Sequence, residues 1–419
     1  MASLILWKAC HETASLGMEI NIRKTVIITI DGLGVGELPD AFRTNHRGAN
    51  TLQHLADQVG KLNIPNLGKL GLGNLTYIRG VERTPDTLGF YSRCRFKSEG
   101  TGVVSGHWEI AGVIQNENFF DVSLGISSEF RELLQLNTRR DFLIMKWPEQ
   151  ENLLNTFGAE HLISGKPLLL LLPYSEILVC AHENVLTRNQ LMFLTMDVRQ
   201  TANTFHIAMV SMAPLEGEPG DFLINFSKKE SFPMPAPGPT LLDSAELAQI
   251  PVVTLGEVAP IFANRAITTG KSYSSLEDFF EKLVHYIRES PTNDFEQTII
   301  WARYSDLWEV AWQKRDAHAF TKLLEEFDSY IPRLYRAMAS EDMLIITSSH
   351  GGDFTIDSKN PTREHVPVLT YCRNFKPQGY GSLVVRKSAS DIAETLAEAY
   401  ELPIRFAADS FWPNLLEKL

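Results

Sequence analysis

A chain of 419 residues, 44% hydrophobic and 21% charged, carries enough apolar material for a sizeable core and suggests a soluble globular protein of two domains. Its formal charge of −12 argues against a broad phosphate-tracking surface, and so against nucleic acid as a partner, while leaving room for a local basic pocket. The four cysteines, Cys10, Cys94, Cys180 and Cys372, stand far apart with no CxxC pair; neither a zinc knuckle nor a disulfide framework is signalled, and a reducing cytoplasm is the expected location.

Residues 1–23 read as an N-terminal extension, whose apolar patch Leu4-Ile5-Leu6-Trp7 is too brief for a secretory signal. The β-branched run from Thr25 to Ile30 predicts a buried parallel strand that delivers Asp31 to the carboxyl edge of a sheet, where ligands bind in open α/β folds. A glycine-rich turn, Asp31-Gly32-Leu33-Gly34-Val35-Gly36, follows. Asn50 to Ala56 opens a helix, and Leu67 to Asn74 closes an element with glycines. The run from Leu168 to Leu172, stopped by Pro173, predicts a buried strand and falls far short of the roughly 20 residues of a membrane helix. No membrane partner is expected. Gly217-Glu218-Pro219-Gly220 marks a turn, and the proline-dense stretch Phe232 to Pro239 predicts an extended connector. A helix around Asp316 to Met338, with Phe320, Leu324, Phe327 and Ile331 at helical spacing, precedes a second buried strand, Met343 to Thr347, and then Ser348-Ser349-His350-Gly351-Gly352-Asp353. Strand and helix alternate in both halves. The expected organisation is an α/β core formed by residues 24–117 and 236–419, with a smaller α+β cap inserted at 118–235.

Several of these segments carry a family resemblance. Asp31 to Asp40, Asn50 to Asn74, Gly106-His107-Trp108-Glu109-Ile110-Ala111-Gly112, Ala181-His182-Glu183, the Gly-Glu-Pro-Gly turn, Leu324-Glu325-Glu326-Phe327-Asp328 and Thr362-Arg363-Glu364-His365-Val366-Pro367-Val368-Leu369 together resemble the phosphopentomutases of the alkaline-phosphatase superfamily, in the same order and across nearly the whole chain. The resemblance implies a three-layer α/β/α core with an inserted cap. It also implies an enzyme that interconverts ribose 1-phosphate and ribose 5-phosphate at two manganese ions through a phosphorylated threonine. Carboxylate and imidazole ligands suit that chemistry because they hold cations against phosphoryl charge.

Mapped residue by residue, little of that machinery is present. Asp31 and His350 match metal ligands of the family, whereas the aspartate beside the histidine is Ser349. The threonine nucleophile, three residues before Gly106-His107, falls on Val103, which has no oxygen to phosphorylate. Ser105 and Thr101 are the nearest hydroxyls, each offset by two residues. The other metal site's aspartate, histidine and second histidine fall on Trp308, Gln313 and Pro361, with Asp306 the nearest shifted candidate. The cap's phosphate-binding arginines fall at Met209, Ala213 and about Ile224, and its serine and aspartate at Leu172 and Tyr174.

Apolar bulk at Val103, Trp308 and Pro361 suggests a filled or remade cavity, with Asp31 and His350 left as a hydrogen-bonded pair. His107 and Trp108 are expected to brace the turn after the former nucleophile loop. The expected function is therefore that of a phosphopentomutase-like pseudoenzyme, binding a protein partner or a neutral small molecule. No cofactor is expected, or at most a single divalent manganese, magnesium or zinc ion. The alternative is a metal-dependent enzyme of the same superfamily with altered chemistry, in which Asp31 and His350 are joined by Asp353, Asp357 or His365.

Overall fold

The computed structural model describes residues 22–100, 102–147, 150–173, 175–289, 297–358, 360–375, 377 and 380–417. Thr101, Tyr174 and all but the last two residues of the expected N-terminal extension lie outside these.

The chain forms two sheets. Strands β1 (Lys24–Ile30) and β2 (Phe90–Cys94) belong to the first. The second comprises β3 (Leu143–Lys146), β4 (Leu168–Leu172), β5 (Glu176–His182), β6 (Met209–Glu216), β7 (Leu223–Ile224) and β8 (Glu230–Pro233). The chain then returns to the first sheet with β9 (Val252–Leu255), β10 (Thr269–Lys271), β11 (Thr298–Tyr304), β12 (Met343–Thr347) and β13 (Val366–Tyr371). Its strand order is β10-β9-β11-β1-β12-β13-β2, parallel from β10 through β12, with β13 antiparallel to both its neighbours.

Central position explains the composition of β1. All seven of its residues are buried, as a parallel strand requires when helices cover both sheet faces. Val26, Ile28 and Ile30 enter one apolar cluster with α4 (Leu276–Arg288) and α5 (Ala317–Ala337). Ile27 enters the opposite cluster, with Trp108 of α2 (Val103–Ile110) and Ile392 and Leu396 of α6 (Ser390–Ala399). Two helical layers thus sandwich the sheet, the expected α/β/α architecture of the alkaline-phosphatase type. Lys24, buried at the start of β1, spends its charge on the carbonyls of Tyr286, Ile287 and Glu289 at 2.8–3.2 Å, where α4 ends and the helix dipole favours a cation.

The leucine run of β4 follows the same logic in the second sheet. Leu169 and Leu171 face α3 (Arg188–Thr204), while Leu168 and Leu170 enter a separate cluster on the other face. The proline-dense stretch differs from a simple connector. Its first two residues, Phe232 and Pro233, end β8, which pairs with β6, and only the rest runs irregularly back to the first sheet.

Candidate functional site

Register places the site. Thr29 of β1 pairs with Arg303 of β11 on one side and Thr347 of β12 on the other. Side chains alternate along a strand, so Asp31, two residues on, shares a face with Thr29 and Arg303 and lies level with Ser349 beyond β12. Pairing continues past the strand ends, with Asp31 N donating to Tyr304 O at 3.3 Å and Gly32 bridging Gly351. Three parallel strands therefore deliver Asp31, Arg303 and Ser349-His350 to one carboxyl edge.

There Asp31, fully buried, is held by an arginine. The Nε and Nη2 of Arg303 donate to Asp31 Oδ2 at 2.8 and 2.6 Å, and Ser349 Oγ donates to Oδ1 at 2.8 Å. Burial alone would push the Asp31 carboxyl up. The charge of Arg303 and the hydrogen bonds it donates outweigh it and hold the carboxyl below its ordinary range. Arg303 is itself only 4% exposed, and its guanidinium also reaches Glu257 Oε2 at 3.2 Å and Glu309 Oε1 at 3.5 Å. Burial, with the neighbouring Glu257 and Asp31 charges, lifts the Glu309 carboxyl to about 7 despite the pull of Arg303. Arg303 is the residue the sequence reading missed.

His350 does not share a hydrogen bond with Asp31, contrary to expectation. Its Nδ1 lies 3.0 Å from Gly351 O, so that nitrogen carries the proton, and Nε2 is left buried without a partner. Burial disfavours the imidazolium and lowers its pKa. Trp308 packs its ring edge-to-face on this imidazole at 4.3 Å and stacks on Trp312 at 3.8 Å, and Trp312 Nε1 donates to Gly352 O at 2.7 Å. The Trp308 indole thus stands where the resemblance put a carboxylate, with Trp312 stacked on it. Gln313 is exposed and Pro361 buried, the latter beside Gly102 at the start of α2.

The nucleophile segment forms the helix α2 rather than a strand or loop. Val103 begins it, and Ser105 Oγ points back to Gly102 O at 3.4 Å. Gly106 is dictated by close approach, since a Cβ there would lie 2.1 Å from Ser349 O. His107 Nδ1 donates to Val103 O at 2.7 Å, leaving Nε2 to accept from Thr29 Oγ1 at 3.0 Å. Between α2 and the Ser349-His350 turn remains a void of about 10 Å³, lined in part by Gly106, Ser349, His350 and Thr362.

The other candidates lie apart. Asp306 accepts from Tyr273 Oη at 2.9 Å. Asp353 accepts from Asn50 N, His54 Nδ1 and Thr355, and so ties α1 (Thr51–Val59) to its own loop. His365 Nδ1 faces the carbonyls of Gly36 and Glu37, and Asp357 is exposed. The Thr-Arg-Glu segment is structural: Arg363 grips Asp40 with two bonds, and Glu364 accepts from Thr51 N and Oγ1. A Cβ at Gly34 would meet that Glu364 carboxylate at 2.1 Å, which explains the glycine.

Comparison with known proteins bears on these residues. Residues 247–404 match the family described as Metalloenzyme superfamily. The phosphopentomutase of Dictyoglomus turgidum is 32% identical over 402 residues, 95% of this chain and 99% of that protein. That of Caldanaerobacter subterraneus subsp. tengcongensis is 31% identical over 94% of this chain and 98% of its own length. Leishmania mexicana phosphoglycerate mutase, solved at low cobalt concentration, covers 94% of this chain and 98% of its own, with 10% identity and a TM-score of 0.49.

These matches overturn the expectation of no cofactor, because phosphopentomutases and the Metalloenzyme superfamily depend on divalent metal. The residues present do not fit that requirement as they stand. Both oxygens of Asp31 are engaged, and among the described residues no three His, Cys, Asp or Glu side chains are grouped to hold an ion. With 32% identity over nearly the full length of both proteins, the chain belongs to the phosphopentomutase family.

Proposed function

We propose that this protein is a phosphopentomutase-family pseudoenzyme that does not move phosphate between the carbons of a pentose and acts as a binding or regulatory partner in the cytoplasm. The observation that carries the reading is the void beside Ser349 and His350. Its volume of about 10 Å³ admits about one water, whereas small-molecule sites occupy some 300–1,000 Å³. Val103 adds a second obstacle, for a methyl cannot take up a phosphoryl group. The cytoplasmic part of the proposal is supported by three described cysteines that are buried and free.

Turnover tests this directly. Ribose 1-phosphate is supplied with manganese, and ribose 5-phosphate formation is followed for the wild type and for Val103→Thr. Both are expected to stay at the blank rate, the variant because the hydroxyl alone frees neither Asp31 nor the space at Trp308. Manganese-dependent conversion by the wild type would overturn the proposal.

A further inference from the structure

We infer that Arg303 is a built-in competitor of divalent cations for Asp31. The guanidinium makes two charge-assisted bonds to one carboxylate oxygen, at 2.8 and 2.6 Å, in a site where both groups are almost wholly removed from water. It cannot swing away freely. Its strand position opposite Thr29 is fixed by sheet register, and Glu257 and Glu309 hold the outer nitrogens. An ion approaching Asp31 must break both bonds and leave a cation without its buried partner, which is costly.

Around Arg303 stand groups that would attract a cation in its absence, although among the described residues no three carboxylate, imidazole or thiol side chains are grouped to enclose one. His350 offers an unpartnered Nε2 lone pair, Asp31 a carboxylate already bound to a cationic group, and Glu309 a second carboxylate that reaches the same guanidinium nitrogen as Asp31. Nitrogen and carboxylate oxygen together suit manganese or zinc. The arginine supplies from within the chain the positive charge that these groups would otherwise draw from solution. This inference stands on the Arg303 geometry and is independent of catalytic silence, so a binding measurement and a turnover measurement separate the two.

The test is equilibrium dialysis of the full chain against manganese, for the wild type, Arg303→Met and the double variant Arg303→Met with Asp31→Asn. Loss of the competing pair is expected to tighten manganese binding at least about tenfold in Arg303→Met. Manganese should also raise the melting temperature of that variant more than that of the wild type. The added Asp31→Asn change is expected to abolish the gain. Equal affinity in wild type and Arg303→Met, or a gain that survives Asp31→Asn, would overturn the inference. Should Arg303→Met fail to fold, Arg303→Lys keeps the charge but only as a point contact. It is expected to show a smaller gain, and no gain there overturns the inference equally.

Discussion

Trp308 turns what the family resemblance marks as a ligand position into packed core. The indole is 4% exposed, lies against Trp312 on one face and presses on the His350 imidazole. Truncation in Trp308→Ala removes those contacts and leaves a hole that its stacked neighbours can close only in part. A loss of about 3–5 kcal/mol in unfolding free energy is expected, read by denaturant titration, with no gain in pentose phosphate turnover. A loss under about 1 kcal/mol would mean that the ring fills no essential space. The sequence exposed what is missing at Val103, Trp308 and Pro361, because motif spacing fixes those positions. It did not expose what replaced them. Arg303 is the penultimate residue of a buried strand, where a charged side chain has to be paired, but its partner lies 272 positions upstream and only the sheet register joins them.

Strands and helices differed in how plainly they could be read. Strands β1, β4 and β12 were legible because a strand covered on both faces must be apolar almost throughout. Helix α2 was not, since Val-Val-Ser-Gly-His-Trp-Glu-Ile is only eight residues long and includes β-branched residues and a glycine, all weak helix formers. Beyond β11 the chain winds through a π-turn, Leu307–Ala311, and a 3₁₀ turn, Trp312–Lys314, and this irregular winding stacks the two indoles. Helix α2 is tied to the sheet through His107. Trp301 Nε1 donates to Thr29 Oγ1, whose hydroxyl serves His107 Nε2, and His107 stacks on Trp301. Burial outweighs the Asp31 charge and lowers the His107 pKa to about 4. The unfolded chain therefore takes up this proton more readily than the folded one. Stability tied to His107 is full above pH ~6.5 and is lost as the pH falls toward 4, by about 3 kcal/mol. The stability of His107→Gln, measured by urea unfolding across that range, is expected to fall less steeply than that of the wild type. Parallel curves would show that His107 takes up its proton alike in the folded and unfolded chain.

At the scale of the whole molecule, the second sheet invites a test as an insertion. Its two apolar clusters, one around α3 and one around Leu168 and Leu170, share no residue with the two that flank β1. The chain leaves and re-enters the first sheet at neighbouring points, for Leu241 N donates to Ala111 O at 2.8 Å and a Cβ at Gly238 would lie 4.0 Å from Val113. Closing so short a gap with a few glycines and serines costs little loop entropy. The contacts forfeited include those of Ala208, Met209, Met234, Ala236 and Phe119, which pack into the cluster around Trp108, Phe119 edge-on to the indole. Joining residues 22–113 to 237–417 through such a linker is therefore expected to give a protein that still melts cooperatively, at a lower temperature than the full chain. Residues 118–235 alone are expected to fold on their own two clusters. A non-cooperative melt of the shortened core would instead mean that the second sheet completes the first. In that case the Arg303–Asp31 pair, at the edge that the second sheet's Lys229 approaches through Glu257 and Glu309, would depend on both halves for its burial.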